Sequence, residues 1–215
     1  MSRLEANGLT VRLGGRDVLS DVTFDVQAGQ ALALTGHSGS GKTVLLHVLA
    51  GLVPLSAGSL LLDGGPVTPS DPIYRASVGL ILQTHGLASG LTAEENVALP
   101  LQARGFDRAE IAERCRDALA AVDLESVATR LVDDLSGGQR QRVGVARALA
   151  GQPSVLLADE PTAELDPGNR NRILDLLVSS ATRLVVVASN DPEVIAACPR
   201  VLELDDGRLN AARPS

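Results

Sequence analysis

Aromatic residues are nearly absent from this chain, at 1% of 215 residues. The hydrophobic core must therefore be aliphatic, since hydrophobic residues still make up 45% of the sequence. Few aromatic rings also means few platforms on which nucleic-acid bases could stack. The net charge is −7 and there is no basic tract, whereas nucleic-acid binding depends on clustered cations. We therefore expect no nucleic-acid partner.

Cysteine and long apolar runs are scarce as well. Cys115 and Cys198 lie far apart and fit no metal-binding spacing, so we expect two reduced, buried thiols, as is usual in cytosolic proteins. The longest apolar run, 44–55, contains His47 and Pro54 and is too short to span a bilayer, and the first residues do not resemble a signal peptide. We expect a cytoplasmic protein that reaches a membrane only through another chain.

Lysine occurs once, although the chain has 19 lysine and arginine residues in total. That residue, Lys42, lies in the segment 36–43, Gly-His-Ser-Gly-Ser-Gly-Lys-Thr, which is the phosphate-binding P-loop pattern. The apolar run 31–34 predicts a buried strand before the loop, and 44–50 predicts a helix after it. In this arrangement free backbone N–H groups and the positive end of the helix face one anion. A chance glycine-rich turn does not explain this agreement.

The chemistry of the loop suggests a role for each of its polar side chains. Lys42 is expected to reach the β- and γ-phosphates, where a compact ammonium fits better than a planar guanidinium, and the Thr43 hydroxyl is expected to hold Mg²⁺. The candidate nucleotide-binding residues here are Gly36, His37, Ser38, Gly39, Ser40, Gly41, Lys42, Thr43 and Val44.

The remaining hydrophobic pattern predicts an α/β fold. Two alternating segments, 4–13 and 18–26, predict antiparallel strands joined by a turn. Continuous apolar runs at 155–158 and 184–188 are typical of strands buried on both faces of a parallel sheet. We therefore predict a P-loop NTPase core with a parallel sheet, an N-terminal antiparallel β-subdomain and a helical insert subdomain.

Helix-capping residues mark the helical insert. Asp107 and Ser136 can each cap a helix, and Thr92 with Glu95 three residues later is a capping box. We predict a single domain over 1–215. Its parts are the core with the β-subdomain, at about 1–88 and 146–215, and the helical subdomain, at about 89–145.

A pair of acids forms a second constellation. Asp159 and Glu160 follow the strand predicted at 155–158, where one carboxylate can hold Mg²⁺ and the other can polarise a water for attack on the γ-phosphorus. Alone, such a pair is equally consistent with an acidic turn after a strand. Downstream of a P-loop, the pair favours a nucleotide-hydrolysing site.

A glycine-rich helix start, Leu135-Ser136-Gly137-Gly138-Gln139, forms the third constellation. A serine-capped helix N-terminus is an anion site, and a plain cap does not explain two glycines that lower helix stability. With this pentapeptide the chain resembles the ATP-binding cassette (ABC) ATPases, whose signature has the same sequence. The resemblance extends over nearly the whole chain.

The resemblance implies roles for several further residues. Gln83 looks like the Q-loop glutamine that touches Mg²⁺ and senses the transporter subunit, and Glu160 looks like the catalytic base beside Asp159. Asp166 looks like the D-loop aspartate at a dimer interface. In this family two domains sandwich two ATP molecules head to tail, so the P-loop of one would face residues 136–138 of the other. Neither site would be complete in a monomer.

Two positions depart from the family pattern. Asn190 occupies the place of a histidine that contacts the γ-phosphate, and all three histidines of the chain precede Glu160. An asparagine amide can donate a hydrogen bond but is never cationic. Because one preorganised donor is worth roughly 10²–10³ in rate, we predict slow hydrolysis with ATP binding retained. At the adenine, Leu13 and Val18 replace an aromatic ring, so we predict weak base selectivity.

The resemblance implies the ATPase subunit of an ABC transporter. Such a subunit binds ATP and Mg²⁺, forms a homodimer or heterodimer, and energises a separate permease from the cytoplasmic face of the membrane. The stretch after Gln83, through Leu101, is similar to that of a subgroup that serves macrolide-efflux, lipoprotein-release and cell-division complexes, although importer ATPases share much of it. Two alternatives stay open. One is a soluble repair- or translation-type ABC protein, and the other is an ATP-binding scaffold with little hydrolysis.

Overall fold

The computed structural model describes residues 2–179 and 183–210. The described residues do not include 1, 180–182 and 211–215, which fall within the segments predicted for the core and β-subdomain, about 1–88 and 146–215. The elements in chain order are β1 (Arg3–Leu13), β2 (Arg16–Gln27), β3 (Ala31–Thr35), α1 (Lys42–Leu49), β4 (Ala57–Leu62), β5 (Gly65–Val67), α2 (Pro72–Ala76), β6 (Val78–Ile81), α3 (Ala93–Ala103), α4 (Arg108–Ala121), two 3₁₀ turns (Glu125–Val127 and Val132–Asp134), α5 (Gly137–Ala150), β7 (Val155–Asp159), α6 (Pro167–Val178), β8 (Leu184–Ala188), α7 (Pro192–Ala197), β9 (Arg200–Asp205) and β10 (Arg208–Asn210).

The N-terminal part forms a four-stranded antiparallel sheet in the order β2-β1-β4-β5. Strand β1 buries Leu4 and Ala6, then Leu9 and Val11, so the buried face shifts by one residue midway along the strand. A register shift lies between these pairs, and Gly8 has a φ of 59° there. The bulge at this glycine lets both apolar pairs face the same core.

A six-stranded sheet in the order β10-β9-β3-β8-β7-β6 forms the centre of the fold. All neighbours pair in parallel except β10 and β9, which close the sheet as an antiparallel hairpin. Strands β7 and β8 are buried at every position, as their continuous apolar runs predict. The carboxyl ends of parallel strands meet at one edge of a sheet. The loops after β3, β6, β7 and β8 therefore come together there.

Helices α3, α4 and α5 pack against one another on one side of this sheet. The capping box of Thr92 and Glu95 begins α3, and Asp107 caps α4, as the sequence predicts. Their buried side chains, among them Cys115 and Leu119, form one apolar core with one face of the central sheet. Within the described ranges, none of the helices has both the length and the apolar character that crossing a bilayer requires. The α/β architecture with a parallel sheet, an antiparallel β-subdomain and inserted helices is confirmed.

Among the elements that the sequence analysis does not identify are the short strand β5 and the short helices α2 and α7. The two helices begin in the same way, with an aspartate cap, Asp71 or Asp191, followed by proline at the first helical position. Helix α6 starts with the same pair at Asp166. Asp-Pro is thus a local signal that identifies both missed helices.

Candidate functional site

The P-loop connects β3 to α1 through glycines in unusual backbone conformations. Gly36, Gly39 and Gly41 have φ values of 144°, 85° and 107°. A Cβ on Gly36 would lie 2.0 Å from the carbonyl oxygen of Leu204, and one on Gly41 would lie 2.9 Å from Leu19 Cδ2. The Leu204 carbonyl therefore leaves no room for a side chain at Gly36, and the φ of Gly41 is one that residues with a side chain rarely adopt.

The start of α1 is open to an anion. Within the described residues, no side chain caps this helix and its first turn contains no acid. Lys42 Nζ donates hydrogen bonds to the carbonyl oxygens of Gly36, at 2.5 Å, and His37, at 3.1 Å. The ammonium therefore bends back over the loop, where phosphate oxygens could replace these carbonyl acceptors.

Asp159 connects the P-loop to the end of β7. Asp159 is 4% exposed, and its Oδ2 accepts a hydrogen bond of 2.6 Å from the Thr43 hydroxyl. Among the described residues no lysine or arginine forms an ion pair with it. A buried carboxylate whose protein partner is a neutral hydroxyl offers a place for a cation.

Glu160 follows directly, in a left-handed conformation with a φ of 45°. Its N–H donates to the Ala188 carbonyl at 2.9 Å, and Gln141 Nε2 donates to its carbonyl at 3.4 Å. Its side-chain Oε2 accepts a hydrogen bond of 2.7 Å from Ser189 Oγ. The sequence analysis did not identify Ser189 or Gln141, because each of them lies far from Glu160 along the chain.

Asn190 lies beside the P-loop at the end of β8. Its Oδ1 accepts a hydrogen bond from the Gly36 N–H at 3.1 Å. The oxygen of the amide is thereby engaged, which leaves the NH₂ group for another acceptor.

Most of the predicted residues around the phosphates line one cavity of about 260 Å³. Leu13 does not belong to this lining: it is 42% exposed at the end of β1. The lining consists of Val18, Ser38, Gly39, Gly41, Lys42, Thr43, Val44, Gln83, Asp159, Glu160 and Asn190.

His37 belongs to the P-loop, but its ring faces another part of the molecule. Nε2 lies 3.3 Å from carboxylate oxygens of both Asp205 and Asp206, beside the β9–β10 turn. The hydrogen bond between the ring and the Ser38 carbonyl, together with these carboxylates, raises the pKa of His37. The residue contributes to the phosphate-binding loop through its backbone.

The glycine-rich helix start lies outside that cavity. Ser136 and Gln139 form a capping box at the start of α5, with Ser136 Oγ accepting from the Gln139 N–H at 3.3 Å. Leu135 is buried before it. A Cβ on Gly137 would lie 2.1 Å from Glu164 Oε2, and one on Gly138 would lie 3.0 Å from the Glu164 carbonyl. The backbone carbonyl of Glu164 therefore leaves little room for a side chain at Gly138, whereas Gly137 faces the end of the Glu164 side chain.

Asp166 caps α6. Its side chain accepts hydrogen bonds from the backbone and side-chain N–H groups of Asn169, and these bonds lower the pKa of Asp166. The structure therefore gives this aspartate a local role, while a role between two chains stays a prediction.

A glycine loop that opens onto a helix N-terminus, with acids at the end of another strand of the same sheet, defines the class of P-loop nucleotide-binding proteins. Residues 19–163 match the model of the ABC transporter family. Because this match extends over more than half of the chain, the chain belongs to that family.

Curated relatives carry names of the same kind. The methionine import ATP-binding protein MetN 2 of Pseudomonas aeruginosa is 40% identical over 211 residues, which cover 93% of this chain and 63% of the relative. MetN of Caulobacter vibrioides is 40% identical over 208 residues, with the same coverage. The chain thus spans about 63% of the length of these relatives.

A solved structure covers the fold more completely. The dimeric ATP-binding cassette MJ0796, bound to ADP and Pi, is similar with a TM-score of 0.88 and 30% identity, over 97% of both chains. The resemblance to ATP-binding cassettes expected from the sequence is therefore confirmed for the family and for the fold.

Proposed function

We propose that this chain is the ATP-binding and ATP-hydrolysing subunit of an ABC transporter, and that it energises a separate membrane permease by ATP-driven dimerisation. The observation that carries the proposal is the 2.6 Å hydrogen bond between Thr43 Oγ1 and Asp159 Oδ2. This contact brings the phosphate-binding loop and the acidic pair into one cleft. The relatives named as ATP-binding import proteins support the same proposal.

Mg²⁺ would be held by the oxygen atoms of Thr43, Asp159 and Gln83, directly or through water. All three residues line the cleft, and hydroxyl, carboxylate and carboxamide oxygens are the hard donors that this ion prefers. The buried carboxylate of Asp159 supports the fit, since the ion would supply the missing positive charge. When bound, the ion neutralises charge on the phosphates.

The residues of the chain would then position ATP and the attacking water. Lys42 and the N–H groups at the start of α1 would bind the β- and γ-phosphates. Glu160 would accept a proton from the attacking water as the general base. The NH₂ group of Asn190 would donate to the γ-phosphate. Val18 would contact the adenine base. Leu13 stays a predicted second contact to the adenine, although it does not line the cavity.

Dimerisation would complete each site. The residues Leu135, Ser136, Gly137, Gly138 and Gln139 lie outside their own chain's cavity, which supports a role toward the ATP of a second chain. The name of the similar dimeric cassette supports this arrangement. Asp166 would lie at the interface, and either a homodimer or a heterodimer satisfies this geometry.

The location follows from the proposed partner. The chain would lie at the cytoplasmic face of the membrane through its permease, with no nucleic-acid partner.

The helical subdomain at about 89–145 would be a distinct part of the domain, although its boundary at residue 145 falls inside α5 (Gly137–Ala150). Membership of the macrolide-efflux, lipoprotein-release and cell-division subgroup stays a prediction, and the relatives described above are named as import proteins.

ATP hydrolysis by the purified chain tests the proposal. We expect Mg²⁺-dependent turnover that Glu160→Gln reduces to a small residual rate while ATP binding persists, and that Glu113→Gln, at an exposed position on α4, leaves unchanged. Light scattering should show an ATP-bound dimer of the Glu160→Gln variant. Absence of ATP binding would overturn the proposal. Tight binding without turnover in a single-turnover assay would instead establish the scaffold alternative.

A further inference from the structure

We propose that Ser189 is a positioning residue for the base Glu160: its hydroxyl holds the Glu160 carboxylate at the angle from which it can accept a proton from water. This inference rests on the proposed function, and it concerns a residue to which neither the sequence motifs nor the family comparison gives a role. The contact that carries it is the 2.7 Å hydrogen bond from Ser189 Oγ to Glu160 Oε2.

The direction of this hydrogen bond is determined by a second contact. Ser189 Oγ also accepts a hydrogen bond from the Asp191 N–H, at 3.1 Å. A backbone N–H can only donate, so the single hydroxyl proton is available for the carboxylate. Ser189 is 0% exposed, which prevents bulk water from competing for either bond. Ser189 therefore donates its hydroxyl proton to the Glu160 carboxylate.

The backbone of Glu160 is held separately from its side chain. The Ala188 carbonyl and Gln141 Nε2 hold its N–H and its carbonyl in the left-handed conformation. Neither contact restrains the rotation of the carboxylate. Among the described residues, the hydrogen bonds of the side chain come from Ser189, to Oε2. Oε1 accepts from none of the residues that the structure describes, so it can accept a hydrogen bond from water.

Ser189 also sets the position of the base relative to the phosphates. Its N–H donates to the Leu34 carbonyl at 3.1 Å, in the strand that leads into the P-loop. The next residue, Asn190, accepts from the Gly36 N–H at 3.1 Å. Ser189 and Asn190, which are consecutive residues after β8, therefore connect the general base Glu160 to the P-loop. A displacement of about 1 Å in such a geometry can cost about 10²-fold in rate.

Replacement of Ser189 by alanine tests the inference. We expect kcat for ATP hydrolysis to fall by about 10- to 100-fold while the Kd for ATP stays within about twofold. Ser189→Thr keeps the hydroxyl and should restore most of the rate, and Ser189→Cys fills the volume with a weak donor and should not. Ser77→Ala is the matched control, because it removes a serine hydroxyl bond to the Tyr74 carbonyl, away from the cleft.

A second measurement, in the Glu160→Gln variant, separates positioning of the general base by Ser189 from a general structural effect of the substitution. In the Glu160→Gln variant, adding Ser189→Ala should not lower the residual single-turnover rate further, because residues that act as a unit are not additive. An equal fall of the rate in both backgrounds, or an unchanged kcat in Ser189→Ala, would overturn the inference. If the unmodified chain binds no ATP, the proposed function fails instead, so the two failures are distinguishable.

Discussion

The side-chain oxygen of Asn190 accepts a hydrogen bond from the backbone N–H of Gly36. This contact ties the loop after β8 to the first glycine of the P-loop, so Asn190 also has a role in shaping the loop. Only its NH₂ group can then donate to a γ-phosphate. A single neutral donor in the place of a cationic ring is the physical basis for the expected slow hydrolysis.

The first prediction is that Asn190→His raises the steady-state turnover. A neutral histidine ring can accept from the Gly36 N–H with one nitrogen and donate to the γ-phosphate with the other. A protonated ring donates from both nitrogens, so it gives up the Gly36 bond but adds positive charge beside the γ-phosphate. Recovery of one preorganised donor predicts an increase of about tenfold or more. Phosphate release under saturating MgATP measures it. A rate that is unchanged or lower would show that Asn190 does not limit hydrolysis.

The second prediction concerns Lys42, the single lysine. Lys42→Ala should weaken ATP binding by at least about tenfold, because a charge-assisted hydrogen bond is worth roughly 1.5–3 kcal/mol. Lys42→Arg should not restore it, since the guanidinium is planar and larger. Calorimetric titration measures both, with Arg108→Ala, at an exposed position on α4, as the control. Unchanged affinity and unchanged pairing in Lys42→Ala would refute the assignment of the cleft.

The third prediction is weak discrimination between nucleotide bases. Val18 lines the cleft and Leu13 is 42% exposed at the end of β1, so the apolar contacts carry no base-specific hydrogen bond. The affinities for ATP and GTP should agree within about tenfold. Leu13→Tyr should increase both, because stacking of a base on a ring is worth roughly 1–3 kcal/mol. A strong preference for ATP in the unmodified chain contradicts this prediction.

Local sequence signals were enough to predict the elements that position the site. The glycine pattern predicts the P-loop between β3 and α1, and Ser136 predicts the start of α5, because both depend on neighbouring residues. The acids Asp159 and Glu160 follow from the end of a continuous apolar strand. Such features depend on backbone conformation and capping over a few residues.

The contacts between strand ends could not be predicted in the same way. The bond from Ser189 to Glu160 requires β7 and β8 to be adjacent and in the observed register, with Asp159 opposite Ala188. A one-residue slip would turn each side chain to the other face. The bond between Asn190 and Gly36 depends equally on the pairing of β3 with β8.

The fourth prediction concerns the two thiols. Burial raises the pKa of Cys115 and of Cys198 to about 11 from an ordinary value of 9.0. Because the pKa of each thiol is higher in the folded than in the unfolded state, each thiol stabilises the folded state fully below pH 9. This contribution to the free energy of unfolding is lost as the pH rises through 11. Alkylation by iodoacetamide at pH 8 should therefore be slow in the native chain and fast in urea, as mass spectrometry can show. Fast labelling of either native thiol would contradict the burial.

The fifth prediction separates the stability of a helix cap from its role in pairing. Ser136 and Thr92 both form capping boxes, at the starts of α5 and α3. Replacing either residue by alanine should lower the free energy of unfolding by a similar amount, about 1 kcal/mol. Chemical denaturation of the two variants provides this comparison.

Only Ser136→Ala should weaken the ATP-driven dimer, because the start of α5 would face the γ-phosphate of the second chain, whereas the start of α3 has no such role. Light scattering in the Glu160→Gln background, with ATP, measures pairing, and nucleotide affinity at low protein concentration serves as the internal control. That affinity should be the same in both variants, since the cavity of about 260 Å³ includes neither residue. Equal dimerisation of the two variants would show that Ser136 acts as a cap alone and that the second anion site lies elsewhere.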